Sequence, residues 1–385
     1  MAPNTVIVLG GGTGGLVAAR RLRARLPRGD RVVLVERDPA YRFAPSFLWV
    51  MTGARRPEQV TADLRRVRRH GIELVEASVE AIDTTGKTVT TSVGVLEFDR
   101  LVVALGAELA PEMLSGFAEG ARNVYTLEGA AAAGRDLHEL DGGRVAVLVS
   151  RLPYKCPAAH YETALLAEAI LRRRGVRDRS TIDVYTPEPL PMPTAGPAMG
   201  EALLGILASR GIGFHREQTA ERVDAEAGEL VLAGGERVPY DLLLGVPPHR
   251  PPAVVQAGGL TANGGFVPVD PHTLATRAGE SVFAVGDVTV IPLAGGRFLP
   301  KAGVFAHGQA EVVAERIADE LAGRASASLF DGKGSCFLEM GDGVAAYATG
   351  DFYAEGGPAV SLRRPGRRWH LAKVAFEKYW LRRWF

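Results

Sequence analysis

Apolar residues along this chain keep two rhythms, and their alternation predicts the architecture. Thr5 to Leu9 and Arg31 to Val35 are short apolar runs that read as buried parallel strands. Between them Leu16, Ala19, Leu22 and Leu26 recur at helical spacing. Ile72 to Ala77 and Ile82 read as short strands, Thr88 to Phe98 as an antiparallel meander, and Asp99 to Ala107 as a buried strand ending in a small-residue turn. The order then starts again: an apolar strand from Val145 to Val149, a helical pattern from Ala158 to about Arg174, and a strand from Thr181 to Tyr185. After a second meander comes the strand passage Tyr240 to Pro247, which resembles Asp99 to Ala107. Ser281 to Asp287 returns to the first unit, and Val304 to Leu321 is a helix with Val312, Ala314, Ile317 and Leu321 as apolar positions. The chain therefore reads as α/β and internally duplicated, one unit inserted into the other.

The loops between these elements carry chemistry. Gly10, Gly12 and Gly15 form G-x-G-x-x-G between the first strand and helix, and Glu36 with Arg37 ends the second strand. Glycines there permit a tight turn, approach of a pyrophosphate to backbone N–H groups, and close helix packing, while the acid holds ribose hydroxyls. The fold class expected is α/β with two Rossmann-like dinucleotide-binding domains plus a C-terminal region ending in an amphipathic helix. Its boundaries are 1–110 with 266–325, 111–265 carrying Cys156, and 326–385. In the second unit the glycine loop is replaced by Arg151-Leu-Pro-Tyr-Lys-Cys156-Pro, and the acid after the strand by Thr186. That disfavours a second nicotinamide-type nucleotide. Pro157 suits the first helical position, so Cys156 is expected at or beside the N-cap, where the helix dipole and Lys155 favour thiolate. His160 and Glu162, in the first turn or so, are candidates for moving protons, with structural roles as the alternative.

Charge and composition narrow the partners. Among 385 residues the formal net charge is +1, which gives no global field for nucleic acid, but residues 361–385 hold eight Lys and Arg against one acid. Residues 367–385 carry Trp369, Trp380 and Trp384, three of the four tryptophans. At 100° per residue Trp369, Ala372, Phe376, Tyr379, Trp380 and Trp384 share a side that Lys373 and Arg383 flank or interrupt. Such a helix suits an anionic membrane surface, with docking on a second copy in a homo-oligomer as the alternative. No apolar run is long enough to span a membrane, and the N-terminus shows no export leader, so a peripheral membrane location is expected. The two cysteines, Cys156 and Cys336, have no zinc-type spacing, so no metal is expected.

Taken together, Gly10 to Gly15 with Glu36, Phe43-Ala-Pro45-Ser46, Ala104-Leu-Gly106, Tyr154-Lys-Cys156-Pro, Gly286-Asp287, Pro300-Lys301-Ala-Gly303, Gly334-Ser-Cys336-Phe337 and the basic aromatic tail resemble the sulfide:quinone oxidoreductases. Flavocytochrome c sulfide dehydrogenases and type II NADH dehydrogenases share their fold. The resemblance implies FAD in the first unit, with Gly10, Gly12, Gly15 and Glu36 at its adenosine half and Pro45, Asp287 and Lys301 near the flavin. Ser46, Ala104, Gly106, Gly286 and Gly303 belong to the same motifs. It implies Cys156 and Cys336 as a redox pair acting on sulfide, with a small thiol or persulfide as sulfur acceptor, and Phe337 on the side of a membrane quinone. Many members carry a third cysteine after the first small-residue turn, and residues 107–127 hold none. Three alternatives stay open: a type II NADH:quinone oxidoreductase, a flavocytochrome-type sulfide dehydrogenase subunit, and a non-catalytic flavoprotein docking module.

Overall fold

A computed structural model describes residues 3–261 and 265–385. Met1 and Ala2, where the leaderless start was read, lie outside the described residues. Strand Thr5–Leu9 pairs in parallel with Arg31–Val35 on one side and Arg100–Val103 on the other, and Glu73–Val75 and Val282–Ala284 complete a five-stranded sheet. Their central residues are wholly buried because helices Thr13–Arg25 and Gly303–Leu321 cover one face and the antiparallel meander 79–97 with Val255 and Leu260 covers the other, which explains runs of Val, Ile and Leu in place of alternation.

The second sheet repeats the first strand for strand. Gly143–Val149 takes the place of Thr5–Leu9, Ser180–Tyr185 that of Arg31–Val35, Ile212–His215 that of Glu73–Val75, Leu242–Val246 that of Arg100–Val103, and Ala121–Asn123 that of Val282–Ala284. Each unit also carries a three-stranded antiparallel meander, 79–97 in the first and 220–239 in the second. The duplication read from the sequence is thus a duplication of topology. It makes loop positions comparable between the units: Cys156 lies on the loop that corresponds to Gly10–Gly15.

Beyond helix Gly303–Leu321 three antiparallel strands follow, Lys333–Glu339, Ala345–Asp351 and Ala359–Gly366. The third was not foreseen, since its Arg363 to Gly366 end is polar and contains a proline. Helix Arg367–Arg383 then returns to the first unit. Trp380, Trp384 and Phe385 are each 3% exposed or less and pack in one cluster with Tyr41, Phe43 and helix Thr13–Arg25. The Trp380 indole N–H donates to the Tyr41 hydroxyl at 2.9 Å, and the Phe385 ring lies 4.8 Å from that of Tyr41. These rings close the core, so two of the tryptophans assigned to a lipid-facing side do not face out. Burial of each aromatic contributes about 2–3 kcal/mol. What stays exposed is Phe376 and Tyr379 of the expected side together with Leu371, accompanied by Lys378 and Arg382. No helix among the described residues is long and apolar enough to cross a membrane.

Candidate functional site

The glycine loop is built as its spacing requires. Gly10 has φ of +98°, and a Cβ there would stand 2.5 Å from the Ala104 carbonyl oxygen; at Gly15 a Cβ would stand 1.8 Å from the Gly10 oxygen. Gly12 caps helix Thr13–Arg25 without a side-chain acceptor, no acid lies in the first turn, and nothing stands within 4 Å of its Cβ direction. This leaves open N–H groups at the positive end of a helix dipole. Glu36 accepts from Gly11 N at 2.7 Å, and Arg37 is exposed beside it. Gly106 adopts φ of +70° past the strand end, and Gly303 starts the long helix opposite Thr13.

Farther along the same sheet edge, Gly286 has φ of +78° and donates its N–H to Gln309 at 2.7 Å. Asp287 Oδ1 is buried without a hydrogen-bond partner, and burial holds its carboxyl above the ordinary range against the pull of Lys155 and Lys301. An orphaned buried acceptor at a strand's carboxyl end is what a ligand hydroxyl would satisfy. The Lys301 ammonium donates to the Asp287 and Thr289 carbonyls, each at 2.8 Å, and lies 3.4 Å from the Phe266 ring centroid. Burial lowers its pKa to about 8. Of the aromatic loop, Pro45 is exposed. Ser46 instead gives its hydroxyl to Glu377 of the C-terminal helix at 2.5 Å, a bond that sequence spacing does not reveal.

Lys301 also joins this edge to the cysteine loop. Cys156 N donates to the Lys301 carbonyl at 2.7 Å, while the Cys156 carbonyl accepts from the Tyr125 hydroxyl and from Ala159 N, each at 3.0 Å. Three hydrogen bonds thereby hold a non-glycine residue at φ of +54°, a conformation that costs about 1–2 kcal/mol. The helix begins at Ala159 with Ala158 as N-cap, so Cys156 stands two residues before the cap and outside the strongest dipole field. Lys155 turns to the Ala107 carbonyl at 3.4 Å. The surroundings of Cys156, then the neighbouring Cys336 and Glu162, act to raise its thiol and Lys373 opposes them, while the side chain itself is exposed to solvent. Cys336 is pushed up to about 12 by burial and Glu162. Both cysteines are free and exposed, and Glu162 and Lys373 act electrostatically on each of them.

The cation that favours both thiolates is Lys373, which the sequence suggested only as an interruption of an aromatic face. Lys373 is 6% exposed and donates to Glu162 at 3.1 Å; Glu162 also accepts from Glu339 N at 2.7 Å. Burial opposes the Lys373 charge, but Glu162 and Glu339 outweigh it and its pKa is raised. Burial raises the Glu162 carboxyl, with Lys373 pulling the other way. His370 meets Glu339 at 3.0 Å and stands edge-on to Trp49. His160 does not join this group. It is fully buried beside Glu188 at 3.6 Å and Tyr161, with neither ring nitrogen hydrogen-bonded. Glu188, three residues past the second unit's second strand, accepts from Tyr154 at 2.7 Å and Tyr161 at 2.5 Å and is turned inward. The Tyr154 bond anchors the cysteine loop from below.

Strand alternation sends Cys336 and Leu338 to one face and Phe337 and Glu339 to the other. Phe337 lies 5.0 Å from Tyr347, which stacks at 4.7 Å on Trp369 of the C-terminal helix. Phe337, Tyr347 and Trp369 therefore form a row of three partly covered rings on the strand face opposite Cys336.

Comparison with known proteins bears out the fold. Residues 4–310 match the family described as pyridine nucleotide-disulphide oxidoreductase. The sulfide-quinone reductase of Aquifex aeolicus is 27% identical, with 98% of this chain and 90% of that protein covered. The crystal structure of the sulfide:quinone oxidoreductase of the same organism superposes with a TM-score of 0.89 over 99% of this chain and 91% of that one, at 25% identity. A type II NADH:quinone oxidoreductase of Staphylococcus haemolyticus is 24% identical over 88% of each chain.

Proposed function

Since the chain belongs to the pyridine nucleotide-disulphide oxidoreductase family, we propose that this oxidoreductase oxidises sulfide to sulfane sulfur through Cys156 and Cys336 and delivers the two electrons through FAD to a membrane quinone. The observation that carries the reading is the replacement, in a duplicated topology, of the second unit's nucleotide loop by Cys156. Thr186 stands where Glu36 stands in the first unit, and Glu188 is engaged by two tyrosines, so the second unit offers no ribose acceptor for NADH.

FAD fits the first unit: the open N–H groups at Gly12 suit its pyrophosphate, Glu36 its adenosine ribose, and the orphaned Asp287 Oδ1 a hydroxyl of its ribityl chain. When bound, FAD accepts a pair of electrons and releases it to quinone. The chain's own residues hold the sulfur. In the oxidised pair, hydrosulfide attacks one sulfur of a Cys156–Cys336 disulfide. A new S–S bond forms, the disulfide breaks, and one cysteine is left as a persulfide and the other as thiolate. Two electrons have then moved from sulfide to the pair. A second sulfide or a small thiol attacks the outer persulfide sulfur and leaves with it, returning that cysteine as thiolate. Loss of two electrons from the two thiols closes the disulfide again. Glu162, electrostatically coupled to both cysteines, accepts the proton of one thiol while Lys373 steadies its charge, and the second proton leaves to solvent from the exposed thiols. The Phe337, Tyr347 and Trp369 rings supply the apolar wall for the quinone, and the Leu371 and Tyr379 stripe rests on the membrane surface with basic side chains toward anionic headgroups.

Anaerobic mixing of the flavin-loaded protein with sulfide or with NADH tests this. Bleaching by sulfide and not by NADH is expected; bleaching by NADH alone would overturn it.

A further inference from the structure

Helix Thr13–Arg25, the basic turn Leu64–His70 and the end of the C-terminal helix converge on a recess of about 230 Å³, away from the thiols. It is lined by Arg20, Arg21, Arg23, His70, Arg383 and Trp384. Some of these cations are already engaged. Arg21 pairs with Glu311, and Arg23 spends its donors on the backbone carbonyls of Leu26, Pro27 and Asp30. Among the described residues, lining Arg20 and Arg383, and Arg69 beside the lining His70, form no ion pair with a carboxylate, and Arg383 lies 5.9 Å from the Trp384 ring centroid. Arg20 reaches only the Arg383 carbonyl, at 3.3 Å, and Arg69 only the His70 ring, at 3.4 Å.

Like charges gathered without counter-charge oppose one another. Burial together with Arg383, Arg69 and Arg21 lowers the Arg20 pKa, and burial together with Arg20, Arg69 and Arg383 lowers that of His70. A fold that holds four cationic or protonatable side chains around one small concavity, with a tryptophan as its floor, lacks an anion there. Guanidinium groups present forked donors that suit phosphate oxygens.

We propose that this recess binds a phosphate group. Two sources share that chemistry: a soluble phosphate or phosphate ester, and the headgroup of an anionic phospholipid. The second is within reach because Arg383 ends the helix whose Leu371 and Tyr379 are exposed. The site shares no residue with the proposed redox centre.

The test uses the flavin-loaded full chain. Inorganic phosphate is titrated by calorimetry while the His70 ring is followed by NMR, and sedimentation is measured with phosphatidylglycerol and with phosphatidylcholine vesicles. Arg20→Gln and the exposed Arg69→Gln are compared with Arg31→Gln, whose guanidinium pairs with Glu73 elsewhere on the surface. Phosphate binding weakened about tenfold in both pocket variants but not in Arg31→Gln, with a His70 pKa that rises on binding, assigns a soluble phosphate ligand. Phosphatidylglycerol sedimentation that falls in both pocket variants, without binding of free phosphate, assigns a lipid headgroup. If neither binding depends on Arg20 and Arg69 beyond the effect of Arg31→Gln, the proposal is wrong. Flavin bleaching by sulfide is unchanged in all three variants, so this result does not depend on the redox reading.

Discussion

Lys373 donates to Glu162 across 3.1 Å although 211 residues separate them, and by this bond the C-terminal helix is fastened to the helix that follows Cys156. The contact is buried on both sides, so each charge depends on the other. Lys373→Met strands a carboxylate, and a buried charge left unpaired costs about 3–5 kcal/mol. Urea unfolding shows that loss, and the double change Lys373→Met with Glu162→Gln recovers most of it. The same single variant slows flavin bleaching by sulfide, because the cation favouring both thiolates is gone.

The thiols give a pH signature. A free thiol is half ionised near pH 8.5, whereas Cys336 stands at about 12. Alkylation of the reduced protein by iodoacetamide therefore keeps accelerating from pH 8 to 11, where a free thiol has levelled off. The folded form holds this proton more tightly than the unfolded chain. Its contribution to stability is thus complete below pH 8.5 and is lost as pH rises toward 12. Cys156→Ser and Cys336→Ser each abolish bleaching by sulfide while dithionite still bleaches the flavin.

His249 acts in the opposite direction. Burial, with Lys155 adding to it, lowers its pKa to about 3, and its Nδ1 hydrogen-bonds the Pro247 carbonyl at 2.9 Å. The unfolded chain takes up a proton near pH 6.5 that the folded one refuses, so stability falls as pH drops from 6.5 to 3. His249→Gln flattens this limb, as measured by melting temperature across that range.

Two glycines of one loop are expected to separate folding from cofactor binding. Gly15→Ala drives a Cβ into the Gly10 carbonyl oxygen and lowers the melting temperature as well as flavin content. Gly12→Ala meets no protein atom within 4 Å, so it leaves the fold intact and reduces flavin content alone.

For the tail, truncation is the wrong probe, since Trp384 and Phe385 are core residues and their removal destabilises the first unit. Leu371→Glu with Tyr379→Glu keeps the core and abolishes sedimentation with anionic vesicles, with stability changed by only about 0.5 kcal/mol. Undiminished sedimentation would show that the stripe has another use.

The individual strands, the glycine loop and the repeat of the strand–helix–strand pattern were legible because each piece is encoded locally by periodicity and glycine spacing. The roles of Lys373, Glu339 and Glu188 were not, because a helical pattern gives an angular position without saying what lies opposite it. Trp380 and Lys373 illustrate this. Both sit on a basic aromatic helix, and only the packing of distant segments makes one a core residue and the other a buried counter-ion. At Cys156 the sequence showed a thiol before a helix but not the electrostatic neighbours Glu162 and Lys373, which tertiary packing brings near it.

The first sheet takes its outer strand from Val282–Ala284 and its aromatic cap from Trp384 and Phe385, whereas all strands of the second lie between Ala121 and Val246. During synthesis the inserted unit can therefore complete its sheet first. The half that begins at Thr5 must wait, its hydrophobic edge uncovered, until Trp380, Trp384 and Phe385 have been synthesised and can pack against it.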